Sequence, residues 1–113
     1  MECLFCKIIN REIPAEIVFE DDQVVAFEDI NPQAPTHLLI IPRKHIATLN
    51  DLEEGDLALA GRLQFTASRL AKERGFAEEG YRVVMNCNDL GGQTVYHIHM
   101  HLMGGRRFTW PAG

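Results

Sequence analysis

The run Tyr96-His97-Ile98-His99-Met100-His101-Leu102-Met103 puts an imidazole at every second position from 97 to 101 and an apolar side chain between each pair. Successive side chains of a β-strand point to opposite faces. The spacing therefore predicts a strand, from about Thr94 to Met103, with His97, His99 and His101 on one face and Ile98, Met100 and Leu102 on the other. The apolar face needs a covering layer, and the chain offers one long amphipathic segment. From about Leu52 to Arg74, Leu59, Leu63, Ala67, Leu70 and Ala71 recur at helical spacing. Asn50 with Glu53 reads as its capping pair, and Gly75 after Lys72-Glu73-Arg74 as its stop.

Four more strands and a short helix are expected upstream and between. Leu4-Phe5 and Ile8-Ile9 line one side of a short helix that ends before Pro14. Glu16 to Phe19 and Val24 to Phe27 flank the acidic turn Glu20-Asp21-Asp22, as in an antiparallel hairpin. Asp29 to Pro35 holds two prolines, which fix φ and lack an N–H, so it is a loop leading into strand Thr36 to Ile41. Tyr81 to Met85 makes a further strand, joined to the histidine strand through a connector with Gly91-Gly92. The predicted class is α+β: a mainly antiparallel five-stranded sheet with one long and one short helix, in one domain over residues 1–113.

Composition narrows the function. With 113 residues, 46% of them hydrophobic, the chain can build a core without disulfides. Its 11 Lys and Arg against 16 Asp and Glu give a net charge of −5, the wrong sign for a phosphate polymer, so no polymeric nucleic acid is expected as partner. The longest apolar run, Leu38 to Ile41, is closed by Pro42 and is far short of a bilayer span, so no membrane is expected either. The start Met1-Glu2-Cys3-Leu4-Phe5-Cys6-Lys7 lacks a basic segment followed by an apolar one, which points to the cytoplasm. In a reducing compartment its three cysteines are free or metal-bound.

Three imidazoles held in a row repel or compete for donors unless something organises them. Two chemistries fit: a metal, since histidines two apart on a strand can converge on zinc, or a phosphate, attacked by one neutral histidine while its neighbours donate to the oxygens. Gly91-Gly92-Gln93-Thr94 favours the phosphate, because backbone amides before the strand can form an anion nest. Cys3-x-x-Cys6 has the spacing of half a zinc site, or is a pair of free thiols with Cys6 packed as a small hydrophobe; Cys87 has no partner motif.

The stretch Asp29 to His37, the lead-in Gly91 to Tyr96, the His97-x-His99-x-His101 run and the ending Gly104-Gly105…Trp110-Pro111 resemble the histidine triad (HIT) family, in its branch of purine nucleoside phosphoramidate hydrolases. That resemblance implies hydrolysis of AMP or GMP joined to an amine through a P–N bond, by way of a nucleotidyl-histidine and with no cofactor for the step. It makes His99 the nucleophile and His37 the fourth histidine of the site. His97 and His101 are then expected to hold the phosphate oxygens, and Gln93 or Thr94 to reach the leaving amine. It assigns Asp29 to the ribose hydroxyls; Ile30, Phe27, Phe5, Ile8 and Leu4 to the purine slot; and Asn86, with the Gly92 loop, to phosphate or ribose. It implies a HIT-like homodimer whose sheet continues across the two-fold axis, with tail residues 106–113 at the interface. Some relatives hold a structural zinc on such a Cys pair and two histidines, here Cys3, Cys6, His45 and His97. Two other functions stand beside the hydrolase: a nucleotide-binding regulatory module with incidental hydrolysis, and a dinucleoside polyphosphate hydrolase or nucleotidyl transferase. The Trp110-Pro111-Ala112-Gly113 ending favours the phosphoramidate branch.

Overall fold

The computed structural model describes residues 3–113; Met1 and Glu2, the head of the segment read for a leader, lie outside the described residues. A short helix α1 (Leu4–Ile9) is followed by strands β1 (Ile17–Glu20), β2 (Val24–Glu28) and β3 (Thr36–Pro42), the long helix α2 (Leu57–Arg74), and strands β4 (Tyr81–Val84) and β5 (Met100–Gly104). The strands form one five-stranded sheet in the order β1-β2-β3-β5-β4, every neighbouring pair antiparallel. The expected class and sheet hold.

Alternation along the middle strands builds two cores. Leu38 and Ile40 of β3, Val24 and Ala26 of β2, and Ile98, Met100 and Leu102 bury against Leu63, Ala67, Leu70 and Ala71 of α2. The odd-numbered residues of the same strands, Val25, Phe27, Leu39 and Ile41, pack on the opposite face against Phe5 and Ile8 of α1. His37, His99 and His101 share that second face by the same parity. β3 sits in the middle because it is apolar on both faces.

Two starts differ from the sequence reading by several residues. α2 begins at Leu57 rather than Leu52, because residues 48–56 form two short 3₁₀ turns. Each carries its own capping box, Thr48 with Asp51 and Glu53 with Asp56, so Asn50 and Glu53 are not the pair that starts the helix. Its end is as expected, at Gly75 with φ +86°, a conformation open to glycine at little cost. The histidine strand begins only at Met100, and residues 95–97 form a bend in place of its first half. Among the described residues no helix is long and apolar enough to cross a membrane.

Candidate functional site

A cavity of about 400 Å³ opens between α1 and the sheet, within the range of small-ligand pockets. α1 can form one wall because Cys3 caps it, its Sγ accepting from the Cys6 N–H at 3.3 Å, while Phe5 and Ile8 anchor it to the sheet. Of the expected purine-slot residues, Leu4, Phe5, Ile8, Phe27 and Ile30 all line the cavity, with Asp29, Thr94, His99 and His101 beside them. Ile30 is 99% exposed and so forms the rim rather than a buried wall. The sequence reading missed Leu39 and Val95, and also Ile13 to Ala15. Leu39 was legible, since it shares the parity of His37 on β3; the 13–15 segment reaches the pocket only because the chain after α1 turns back over it.

The imidazoles on this face are locked by hydrogen bonds that decide where each proton sits. His99 Nδ1 donates to the His97 carbonyl at 2.8 Å. A carbonyl only accepts, so in the neutral ring the lone pair is on Nε2. Phe5 stands edge-on to His99 with centroids 5.1 Å apart at 90°, fixing the ring plane. Next, the Gln33 N–H donates to His37 Nδ1 at 2.9 Å. The proton of His37 is therefore on Nε2, which donates to His101 Nδ1 at 2.9 Å, and the proton of His101 is on its own Nε2. Asp29 Oδ2 lies 3.4 Å from His37 Nε2 and favours the same assignment. The outcome is one bare nitrogen, on His99, beside one N–H donor, on His101.

His97 does something else. The bend turns its fully buried ring away from the pocket, so the expectation that it holds a phosphate oxygen is corrected. Its Nε2 donates to the Pro42 carbonyl at 2.8 Å, and its Nδ1 faces Cys3 Sγ at 3.5 Å, Cys6 Sγ at 3.7 Å and His45 Nδ1 at 3.2 Å. His45 Nδ1 is also 3.5 Å from Cys6 Sγ. A tetrahedral zinc with bonds of about 2.0–2.1 Å to nitrogen and 2.3 Å to sulfur has ligand–ligand edges of roughly 3.3–3.8 Å. The four residues expected from the Cys pair thus converge at coordination distances, with the far N–H of His97 anchored on a carbonyl as metal-bound imidazoles usually are. Burial, and then the neighbouring Cys3, push the Cys6 thiol up to about 11, so a metal entering here displaces a proton.

Asp29, His37 and His101 also bring three donor atoms together. They do not suit a metal. The Gln33 N–H occupies His37 Nδ1 and forces the proton onto the nitrogen that would have to ligate.

The glycine loop is likewise not the expected nest. Its amides are spent internally, Gly91 on Asp89's neighbour Asn88 at 3.2 Å, Gly92 on Asp89 at 3.0 Å and Gln93 on Asn88 at 3.0 Å, each to the backbone carbonyl. The buried Gln93 side chain accepts from the Asn88 N–H and donates to the carbonyls of Ala47 and Val95, so it closes the loop instead of reaching the cavity. Gly91 is required by close approach, since a Cβ there would stand 2.4 Å from the Cys87 carbonyl oxygen. Neither Asn86 nor Gly92 lines the cavity, and Thr94 alone of the loop's expected residues does. The tail packs elsewhere: Arg82 of β4 lies over the rings of Phe108 and Trp110 and donates to the Thr109 carbonyl at 2.9 Å.

A HIT domain family model matches residues 10–108. The purine nucleoside phosphoramidase of Escherichia coli strain K12 is 56% identical over 105 residues, 93% of this chain and 88% of that protein. A HIT family hydrolase from Legionella pneumophila Philadelphia 1 has a crystal structure that superposes with a TM-score of 0.98 at 59% identity, covering 99% of this chain and 100% of that one. A histidine triad protein from Clostridium difficile gives a TM-score of 0.93 at 43% identity, over 96% of this chain and 95% of that one.

Burial sets the charge state of the cluster. It is the main cause lowering His37, His97 and His101, the last to about 4 with help from the neighbouring His99 and His37. These rings are neutral in the folded chain where unfolded imidazoles, with a pKa of about 6.5, begin to protonate. The unfolded state then binds more protons, so stability is present above about pH 6.5 and falls as pH drops toward 4. Calorimetry across that window should show Tm decreasing on acidification. His101→Gln should flatten the slope, and an equal slope in the variant would contradict the assignment.

Proposed function

Since the chain belongs to the HIT domain family, we propose that its pocket hydrolyses purine nucleoside phosphoramidates, AMP or GMP joined to an amine through a P–N bond, by way of a nucleotidyl intermediate on His99. The observation that carries this reading is the His99 Nδ1 bond to the His97 carbonyl, which leaves a neutral Nε2 lone pair at the cavity. Nε2 attacks phosphorus and the P–N bond breaks as the departing nitrogen takes a proton, without which an amide anion would have to leave. His101 presents its Nε2–H there as a hydrogen-bond donor; because that neutral ring holds no second proton to give, the proton the amine takes comes from water. The same water, its proton given to the amine, attacks phosphorus; the P–N(His99) bond breaks, the monophosphate leaves and the lone pair returns to His99 Nε2. Asp29 accepts from the ribose hydroxyls, and the purine lies between α1 and Phe27 with Ile30 at its edge.

His99→Ala should abolish turnover of a tryptamine-linked AMP while AMP binding persists, because the purine wall and Asp29 are untouched. Retained turnover would exclude His99 as nucleophile. His101→Ala, which removes a donor, should cost roughly 10²–10³-fold in kcat. Faster cleavage of a dinucleoside polyphosphate than of the phosphoramidate would instead assign the pocket to that chemistry.

Cys3, Cys6, His45 and His97 would hold a structural zinc, cross-linking the cap of α1 to the segment after β3 and to the bend before β5. The metal takes no part in the reaction, since His97 points away from the pocket. Elemental analysis of protein purified without chelator should give about one zinc per chain. Chelation should lower Tm while initial turnover survives; essentially no zinc would return the four residues to a metal-free packing role.

The chain acts as one HIT domain, dimeric, with β4, which ends the sheet order, as the edge through which the sheet continues into a second copy and the tail at that boundary. Sedimentation should give twice the 12.8 kDa chain mass. A monomer at micromolar concentration would refute this. Three cysteines, none of them in a disulfide, suit the cytoplasm, and cell fractionation tests that placement.

A further inference from the structure

The tautomers of His37 and His101 both derive from one backbone N–H, that of Gln33. Gln33 belongs to the loop between β2 and β3, where Pro32 and Pro35 have no N–H to give and much of the bonding is local. Asn31 N–H donates to Asp29 Oδ1 at 2.8 Å, and the Gln33 side chain donates to the Asn31 carbonyl at 3.0 Å. A loop held only by such internal bonds would leave the Gln33 peptide free to reorient.

The grip from outside comes from the chain just past β5. Arg106 Nε donates to the Gln33 carbonyl at 2.9 Å. Its guanidinium lies 4.1 Å over the Phe108 ring and bonds through Nη1 to the Arg107 carbonyl at 3.1 Å, so the group is held in plane rather than waving in solvent. Gly105, with φ +96°, brings this segment so close that a Cβ there would meet Pro35 Cβ at 2.9 Å. Arg106 thus spends its charge on carbonyl oxygens, a use that a generic solubilising surface arginine has no need of.

We propose that Arg106 is a positioning residue for the hydrolysis: its hold on the Gln33 carbonyl keeps the Gln33 N–H on His37 Nδ1, and so keeps the proton of His101 on the nitrogen facing substrate. The chain runs Arg106, Gln33, His37, His101, and Arg106 itself touches neither substrate nor reacting atoms. The catalytic part of this inference rests on the hydrolase reading of the pocket; the tautomer part does not.

The test uses Arg106→Met, which retains the aliphatic stem and deletes the guanidinium, with both its donors and its stacking on Phe108. In wild-type protein, imidazole ¹⁵N resonances of His37 and His101 should each show a bare Nδ1 and a protonated Nε2. In the variant both should move toward tautomer averaging. kcat on the AMP phosphoramidate should fall on the order of tenfold, as for loss of other supporting hydrogen bonds, with KM and Tm little changed. Arg106→Leu, which also lacks the donors, carries the same readouts should Arg106→Met not fold. Unchanged ¹⁵N patterns, or a loss confined to KM, would overturn the proposal. A wild-type chain with no phosphoramidate turnover would instead overturn the hydrolase reading, and the ¹⁵N comparison would still decide the role of Arg106.

Discussion

The hydrogen bond from His99 Nδ1 to the His97 carbonyl at 2.8 Å is the constraint on which the rest of the site depends. For a carbonyl to stand beside the ring two residues later, the backbone cannot run as regular strand, and residues 95–97 bend. The bend sends the His97 side chain out of the pocket to the N-terminal end of α1, where it meets Cys3, Cys6 and His45. One local departure from strand geometry therefore leaves a bare Nε2 on His99 through its backbone and closes a Cys/His cluster at coordination distances with its side chain.

What enforces that arrangement is hydrophobic. Ile98, Met100 and Leu102 are buried under α2, and burying each such side chain is worth about 1.5–3 kcal/mol. Together they approach the net stability of a small domain, about 5–15 kcal/mol. A register slip of one residue would expose all three and drive imidazoles into the apolar core. His99 and His101 are thus held on the pocket face by the residues between them, and Phe5 of α1 adds the orientation of the His99 ring.

Proton placement separates two clusters that look equally suited to a metal by composition. At His97 the nitrogen away from the thiols donates to a carbonyl, so the nitrogen toward them is free to ligate. At His37 the nitrogen away from His101 accepts from a backbone N–H, so the nitrogen toward Asp29 and His101 carries hydrogen. Both clusters bring ring nitrogens together with other donor atoms; the partner on the far side of each ring decides which cluster offers a nitrogen free to ligate and which relays a hydrogen-bond direction.

By itself the sequence determined what periodicity and residue chemistry can carry. The period of two over residues 98–102, the helical stripe of α2 with its stop at Gly75, and the double-sided apolar strand at 36–41 were enough for the sheet, its covering helix and the face on which His99 and His101 lie. The Leu4-Phe5 and Ile8 pattern by itself reads equally as core, and it was the resemblance to the HIT family that singled out these residues and Asp29 for the pocket. Tertiary structure alone decided the rest: the turn of His97 away from its triad neighbours, the use of Gln93 and the glycine amides within their own loop, the start of α2 after two capped 3₁₀ turns, and the reach of Arg106 to Gln33. Each of these depends on which backbone N–H or carbonyl lies within about 3 Å, at hydrogen-bond distance. Every residue but proline carries the same backbone groups, so a sequence cannot distinguish them until the folded chain places one beside another.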